Sequence, residues 1–265
     1  MSSTGRGYGL AFGLLMLAAI AAALPLPLVS DTIHFRQALA RPGPEHLLGS
    51  DPLGRSVAWQ MLVGARYSLR IALVASMATA IVGAIVGMAS ALGSARVQLW
   101  LGRMIDVALA LPSLLIALLL VGLFGASFTT MVLAFSVLGW TGYARVVRSE
   151  ALRLVHTDAV AAARVLGVPL LRVARVHILP HVVPLLLVQL SFSFGGIMLG
   201  ESTLSFLGLG DPTVATLGRQ ISEGVDYLRA RPILVLAPGG MLAALILVAN
   251  LAGDSLQDRL RTLDR

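Results

Sequence analysis

Residues 158–180 read DAVAAARVLGVPLLRVARVHILP and lie between two long apolar runs. They hold Asp158, Arg164, Arg172, Arg175 and His177. One arginine at the centre of a bilayer costs about 2.5–3.5 kcal/mol on insertion scales, so this stretch does not span a membrane. It is also too rich in Ala, Val and Leu for a solvated loop. Thr157-Asp158 offers an N-cap and a carboxylate for the positive end of a helix dipole. Ala159, Ala162, Ala163 and Leu166 then recur at helical spacing and make a face of small residues. Gly167 stops this helix and Pro169 starts another. In the second helix Arg172 and Arg175 share a face, and Pro180 is expected to break it before the next apolar run. Two short helices bent at a Gly-x-Pro joint would lie along a membrane surface. A small-residue face lets another backbone come close, which suits docking; an amphipathic pair resting on anionic lipid is the alternative.

The rest of the chain supplies the membrane. It has 265 residues, 57% hydrophobic and 12% charged, with a mean hydropathy of +0.87. Soluble domains carry roughly 25% charge, so the class is an all-α polytopic membrane protein. There is no cysteine, which excludes disulfides, thiolate nucleophiles and Cys-ligated metals. All 20 basic residues are arginine, and the net charge of +7 needs no nucleic-acid partner, because loops of membrane proteins collect arginine.

Charge-free runs cover Gly7–Ser30, Ile71–Ala95, Val107–Ala144, Val182–Gly200 and Pro232–Gly253. A span needs about 20 apolar residues, so the long third run is a hairpin of two helices turning within Gly122–Thr130. The expectation is six transmembrane helices, at about 8–29, 67–93, 103–123, 127–147, 181–201 and 232–253, with a surface segment at 156–180. The first run is longer than the apolar part of a signal peptide, and Leu24-Pro-Leu-Pro-Leu28 is a poor cleavage site, so it reads as a retained helix. Arginines favour the side holding both termini and the 2–3 and 4–5 loops, which is therefore expected to be cytosolic.

Three stretches resemble a known family. Ala161-Ala-Ala-x3-Gly167-x9-His177-Ile-Leu-Pro180 looks like the EAA signature of permease subunits in binding-protein-dependent ABC importers. His46-Leu-Leu-Gly-Ser-Asp-Pro-Leu-Gly-Arg55 with Val63-Gly-Ala-Arg-Tyr-Ser-Leu69 is similar to the stretch before the second helix in the dipeptide/oligopeptide/nickel branch. Glu201-Ser-Thr-Leu-Ser-Phe-Leu-Gly-Leu-Gly210 resembles that branch's loop after the fifth helix. The three stand in the family's order over about residues 45–210.

The resemblance implies a single permease domain over 1–265, in the cytoplasmic (inner) membrane of a prokaryote. It makes 156–180 a coupling segment that inserts into the groove of an ATPase subunit, through Asp158, Ala161, Ala162, Ala163, Gly167, Pro169, His177, Leu179 and Pro180. It places Asp51, Gly54, Arg55, Glu201, Ser205, Gly208 and Gly210 in outer loops or along the path. The implied partners are a second homologous permease subunit, cytosolic ATP-binding subunits, an external solute-binding protein and the lipid bilayer. ATP-Mg would sit on partner subunits, with no cofactor on this chain. Substrates within the branch are short peptides, nickel or a larger ligand such as haem. Two departures stand out: Ala161 replaces the signature's Glu, and Leu217-Gly218 stands where the branch often has Trp-Gly.

Other features carry open readings. Gly83-Ala-Ile-Val-Gly87 permits tight helix packing, either within the chain or against a second permease subunit. Asp106 reads as an interfacial ion pair with Arg103 rather than a pathway carboxylate. His156, His177 and His181 lack carboxylate companions at ligand spacing, so no metal site is expected. Glu201 either faces the path or caps the turn that follows it, and Gly208 and Gly210 serve a turn.

Rival functions fit less well. An intramembrane hydrolase needs a nucleophile and base at membrane depth, and no His lies within an apolar run. A self-sufficient ATP-driven pump needs the lysine of a phosphate-binding loop, and the chain has no lysine. A secondary carrier or channel would place ionisable groups in the spans or show repeated halves, and neither is visible.

Overall fold

In the computed structural model the described residues are 33–44 and 46–263. Besides a short 3-10 turn at Phe35–Gln37, the chain folds into eight helices there, with no named strand among the described residues. They are α1 (Val57–Leu92), α2 (Ala95–Ala110), α3 (Ser113–Phe124), α4 (Phe128–Val155), α5 (Asp158–Val165), α6 (Leu170–Leu209), α7 (Leu217–Val225) and α8 (Ile233–Leu263). Four of them, α1, α4, α6 and α8, are long and apolar enough to cross a membrane, and α2 with α3 make a bent fifth candidate. The expected first helix, 8–29, lies outside the described residues.

Most boundaries move outward from the expected ones. The α1 helix starts at Val57, capped by Ser56, whose hydroxyl accepts from the Trp59 N–H at 3.5 Å. Arg66 and Arg70 end the charge-free run but not the helix, since a charge near a span's end is no obstacle to helical backbone. Arg70 lies over the Phe128 ring, 5.5 Å from its centroid, so its guanidinium has an aromatic partner.

The expected straight helix over 103–123 is corrected. Two helices, α2 and α3, meet there at 80°. The ring of Pro112 excludes helical backbone at the preceding residue, and Leu111 is extended at φ −84°, ψ 131°. The hairpin turn falls within the expected Gly122–Thr130: Gly125 takes φ +78°, and the Ser127 hydroxyl caps α4 by accepting from the Thr130 N–H at 3.2 Å.

Pro180 does not break the chain's path either. The α6 helix runs through it, because the backbone widens to a π turn over Ala174–Ile178. There the Leu179 N–H reaches the Ala174 carbonyl, five residues back. The wider turn relieves the clash between a proline ring and the carbonyl four residues before it.

The core forms where α1, α4, α6 and α8 meet. It includes Ile71, Ala72, Ala75, Met131, Phe194, Met198, Leu204 and Ala249, all fully or nearly fully buried. Gly83 and Gly87 resolve to internal packing. A Cβ on either would strike α4, at the Trp140 carbonyl (2.7 Å) or the Ala144 carbonyl (2.6 Å). The α1 and α4 helices thus run side by side in the same direction, while α6 returns against both. As a result loops 33–56 and 210–232 share one end of the bundle, with Gln220 donating to the Gln60 carbonyl and Arg231 to that of Leu39. The α5 helix sits at the opposite end, packed on Ala91, Val147 and Leu154.

Candidate functional site

The α5 end carries residues 158–180. Asp158 begins α5 as expected, but the Thr157 hydroxyl closes α4, donating to the Leu154 carbonyl at 2.7 Å. Gly167 takes φ +72°, the left-handed conformation that ends a helix, and the Val168 N–H reaches back to the Ala163 carbonyl at 3.0 Å. Pro169 then starts α6.

The expected smooth face of α5 is divided by packing. Val160 and Ala163 are buried against the bundle, while Ala159, Ala161, Ala162 and Leu166 face outward. The joint therefore presents bare apolar side chains: Val165, Leu166 and Leu171 are each more than four-fifths exposed. A Cβ built on Gly167 meets nothing within 4 Å. His177 is half-buried, and Leu179 and Pro180 are exposed where α6 enters the bundle.

On the neighbouring helices, Asp106 pairs with Arg145 at 3.6 Å and not with Arg103 as the spacing implied. Arg103 and Asp106 do lie three residues apart on α2, but it is the Arg145 guanidinium of the neighbouring α4 that reaches the carboxylate. Both partners are well exposed, so the pair contributes little.

The opposite end is a polar knot. Asp51 accepts from the N–H groups of Leu53 (2.9 Å) and Arg55 (2.8 Å) through one oxygen. Its other oxygen takes the Arg55 guanidinium (2.7 Å) and the Gln60 amide (2.8 Å). Gly54 supplies the positive φ of +78° that this turn requires. Asp51, Gly54 and Arg55 thus fold the loop onto the start of α1 and are internally satisfied.

Glu201 is fully buried within α6. Its carboxyl group accepts from Ser68 of α1 at 2.5 Å and from Ser205 at 2.8 Å, with Ser202 at 3.4 Å. It ties α1 to α6. Two turns on, Gly208 takes φ +82°, and Gly210 packs so closely on Ser205 that a Cβ would lie 2.6 Å from its hydroxyl. Just beyond, Asp211 accepts from the Tyr67 hydroxyl at 2.9 Å and from the Thr213 hydroxyl at 2.6 Å. Burial pushes the Asp211 carboxyl up, but hydrogen bonds from Thr213, Tyr67 and the Phe128 N–H outweigh it and hold the group below its ordinary range. Gly218 explains its own identity: a Cβ there would overlap the Ser202 backbone, so α7 can seat on α6 only through a glycine.

Ser68, Tyr67 and Asp211 were not singled out from the sequence. Ser68 and Tyr67 nevertheless fall inside the stretch Val63–Leu69, which was the signal that they serve something. Between the two ends lies a cavity of about 390 Å³, bounded by α1, α3, α4 and α6. Thr79, Ser113, Ser193 and Thr203 give it hydroxyls, Gly139, Gly196 and Gly200 give it room, and no charged residue lines it.

Comparison with known proteins follows the same lines. A family model described as the binding-protein-dependent transport system inner membrane component matches residues 60–262. A Brucella suis protein described as a peptide transport system permease is 36% identical over 258 residues, covering 96% of this chain and 86% of the relative. The oligopeptide transport system permease protein OppC of Haemophilus influenzae is 32% identical over 221 residues, covering 83% and 71%. In fold, the chain is similar to the MetNI methionine ABC transporter crystallised in inward-facing conformations. The TM-score there is 0.62 at 17% identity, over 74% of this chain and 94% of that one. It is also similar to an amino acid ABC transporter crystallised with histidines, with a TM-score of 0.55 at 21% identity, over 76% and 92%.

Proposed function

The chain belongs to the inner membrane components of binding-protein-dependent transport systems, and from that premise we propose that it is one permease half of an ATP-driven importer of short peptides. The observation that carries the mechanism is the bare apolar joint at Gly167, held on a bundle whose other end is a satisfied polar knot. The joint fits a groove on a cytosolic ATPase subunit; α5 links it to the end of α4, and α6 runs from it into the bundle through a π turn. Closure of the ATPases on ATP would drag α5, tilt α4 and α6 against a second permease subunit, and open the path outward. Hydrolysis would reverse the tilt. The cavity between α1, α3, α4 and α6 is this chain's contribution to the path, and the Asp51 and Asp211 end is where an external solute-binding protein would dock.

Peptide is favoured over nickel or haem by the names of the relatives, and the uncharged hydroxyl lining of the cavity suits a varied neutral surface better than a metal ion. A secondary carrier would need its own ion-coupling group, and Glu201, the carboxyl fully buried within the long helices among the described residues, is already satisfied by three serines.

Sidedness tests the arrangement. The chain has no cysteine, so single cysteines report cleanly. In intact cells Leu47→Cys should react with an impermeant thiol reagent, and Ser94→Cys should react only after lysis; both positions are exposed. Labelling of Ser94→Cys from outside would reverse the orientation and remove α5 from reach of any cytosolic ATPase.

A further inference from the structure

We propose that the groove between the last turns of α1 and the first turns of α6 is a binding site for one anionic phospholipid. The groove is open, measures about 600 Å³, and is walled by Ala84, Ile85, Met88 and Leu92 on one side and Leu170 and Leu179 on the other. Its α1 wall from Ala84 to Gly93 is about 14 Å long at 1.5 Å per residue, enough to hold the lower part of an acyl chain. That wall falls inside the charge-free apolar run Ile71–Ala95, the part of α1 suited to lipid.

Arg175 is the one charged residue among those lining it. Arg175 sits on the π turn of α6, is exposed, and takes part in none of the ion pairs among the described residues. An apolar wall with one unneutralised cation matches an amphiphile with an anionic head, and basic pockets between helices at the cytosolic face bind such heads. A docking ATPase has an apolar target in Val165 and Leu166, which are exposed at the joint and do not line the groove, whereas Leu171 borders both surfaces. The site goes beyond transport itself, and it clamps the α1 end against the root of the coupling segment.

The test uses the assembled complex, with cysteine-free partner subunits, in nanodiscs. Ala89→Cys, on the groove wall and exposed, carries a fluorophore, and brominated phosphatidylglycerol or brominated phosphatidylcholine serves as quencher. Phosphatidylglycerol should quench several-fold more strongly at equal mole fraction. Adding Arg175→Gln should abolish that preference while phosphatidylcholine quenching stays. A label at Val74, midway along α1 and exposed, should show no preference in either background. Equal quenching by the two lipids overturns the proposal, as does a preference that survives Arg175→Gln. Absence of quenching by either lipid also overturns it, because a protein surface would then cover the groove.

Discussion

Gly167→Val should lower peptide uptake, and the stimulation of ATPase activity by loaded binding protein, by ten-fold or more, with membrane abundance near wild type. Gly167 is left-handed at φ +72°, a conformation that costs a residue with a Cβ about 1–2 kcal/mol and a β-branched one more. No atom stands within 4 Å of a Cβ there, so the damage is not a clash inside the chain. It is a redirected joint: the Val168 to Ala163 hydrogen bond is strained, and Val165, Leu166 and Leu171 no longer present one surface. The spans insert on their own apolar length and do not depend on this turn. Arg172→Gln is the contrast. Arg172 is exposed and enters no ion pair among the described residues, and surface charges are worth about 0–1 kcal/mol, so activity should stay near normal. If the segment merely rests on anionic lipid, the ranking inverts. Uptake and stimulated ATPase of both variants in the reconstituted complex separate the two.

Glu201→Ala should cost more stability than any other single change in the polar knot. It removes the acceptor of Ser68, Ser205 and Ser202 in a site fully closed to solvent. Each buried polar group left without a partner costs about 1–3 kcal/mol. Ser205 can turn back to a helix carbonyl, but Ser68 loses its bond across to α6, so the net loss is about 3 kcal/mol. Thermal unfolding of the detergent-purified chain should then fall by about 6–12 °C at the 2–4 °C per kcal/mol of a chain this size. Glu201→Gln keeps one acceptor oxygen and should lose less than half as much. Equal melting of Glu201→Ala and wild type would show that the carboxyl does not hold α1 to α6.

The neighbouring Asp211 adds a pH signature. A carboxyl held below its ordinary range stabilises the fold above the unfolded-state value, about 3.9, and that stability is lost as pH falls through the lower folded value. Asp211→Asn should therefore flatten the acid limb of the melting curve and leave the neutral region lower than wild type.

What the sequence revealed and what it hid divide along the range of the interactions involved. Among the described residues, hydropathy located the candidate spans because burial in lipid is a local property of each segment. The Gly167-Pro169 joint was legible because both residues act on their own backbone. The bend at Leu111-Pro112 was hidden inside one continuous apolar run, since hydropathy carries no direction. The starts of α1 and α6 were set too late, at charged residues and at Pro180, because arginine at a span's end and a proline in a π turn are both compatible with helix. The division of the α5 face depended on which side the bundle would occupy. Least legible was Glu201: its main partner, Ser68, lies 133 residues away, and no periodicity reports such a pair.

The central claim is that this chain guides peptide through the membrane while other subunits hydrolyse the ATP. Its most direct test is uptake of a labelled short peptide into proteoliposomes holding this chain, its partner permease and the ATPase subunits, with binding protein supplied outside and ATP within. Uptake should require ATP, binding protein and this chain together, and the purified chain alone should neither bind nor hydrolyse ATP. Peptide uptake that proceeds without ATP, or ATP hydrolysis by the chain alone, would contradict the account.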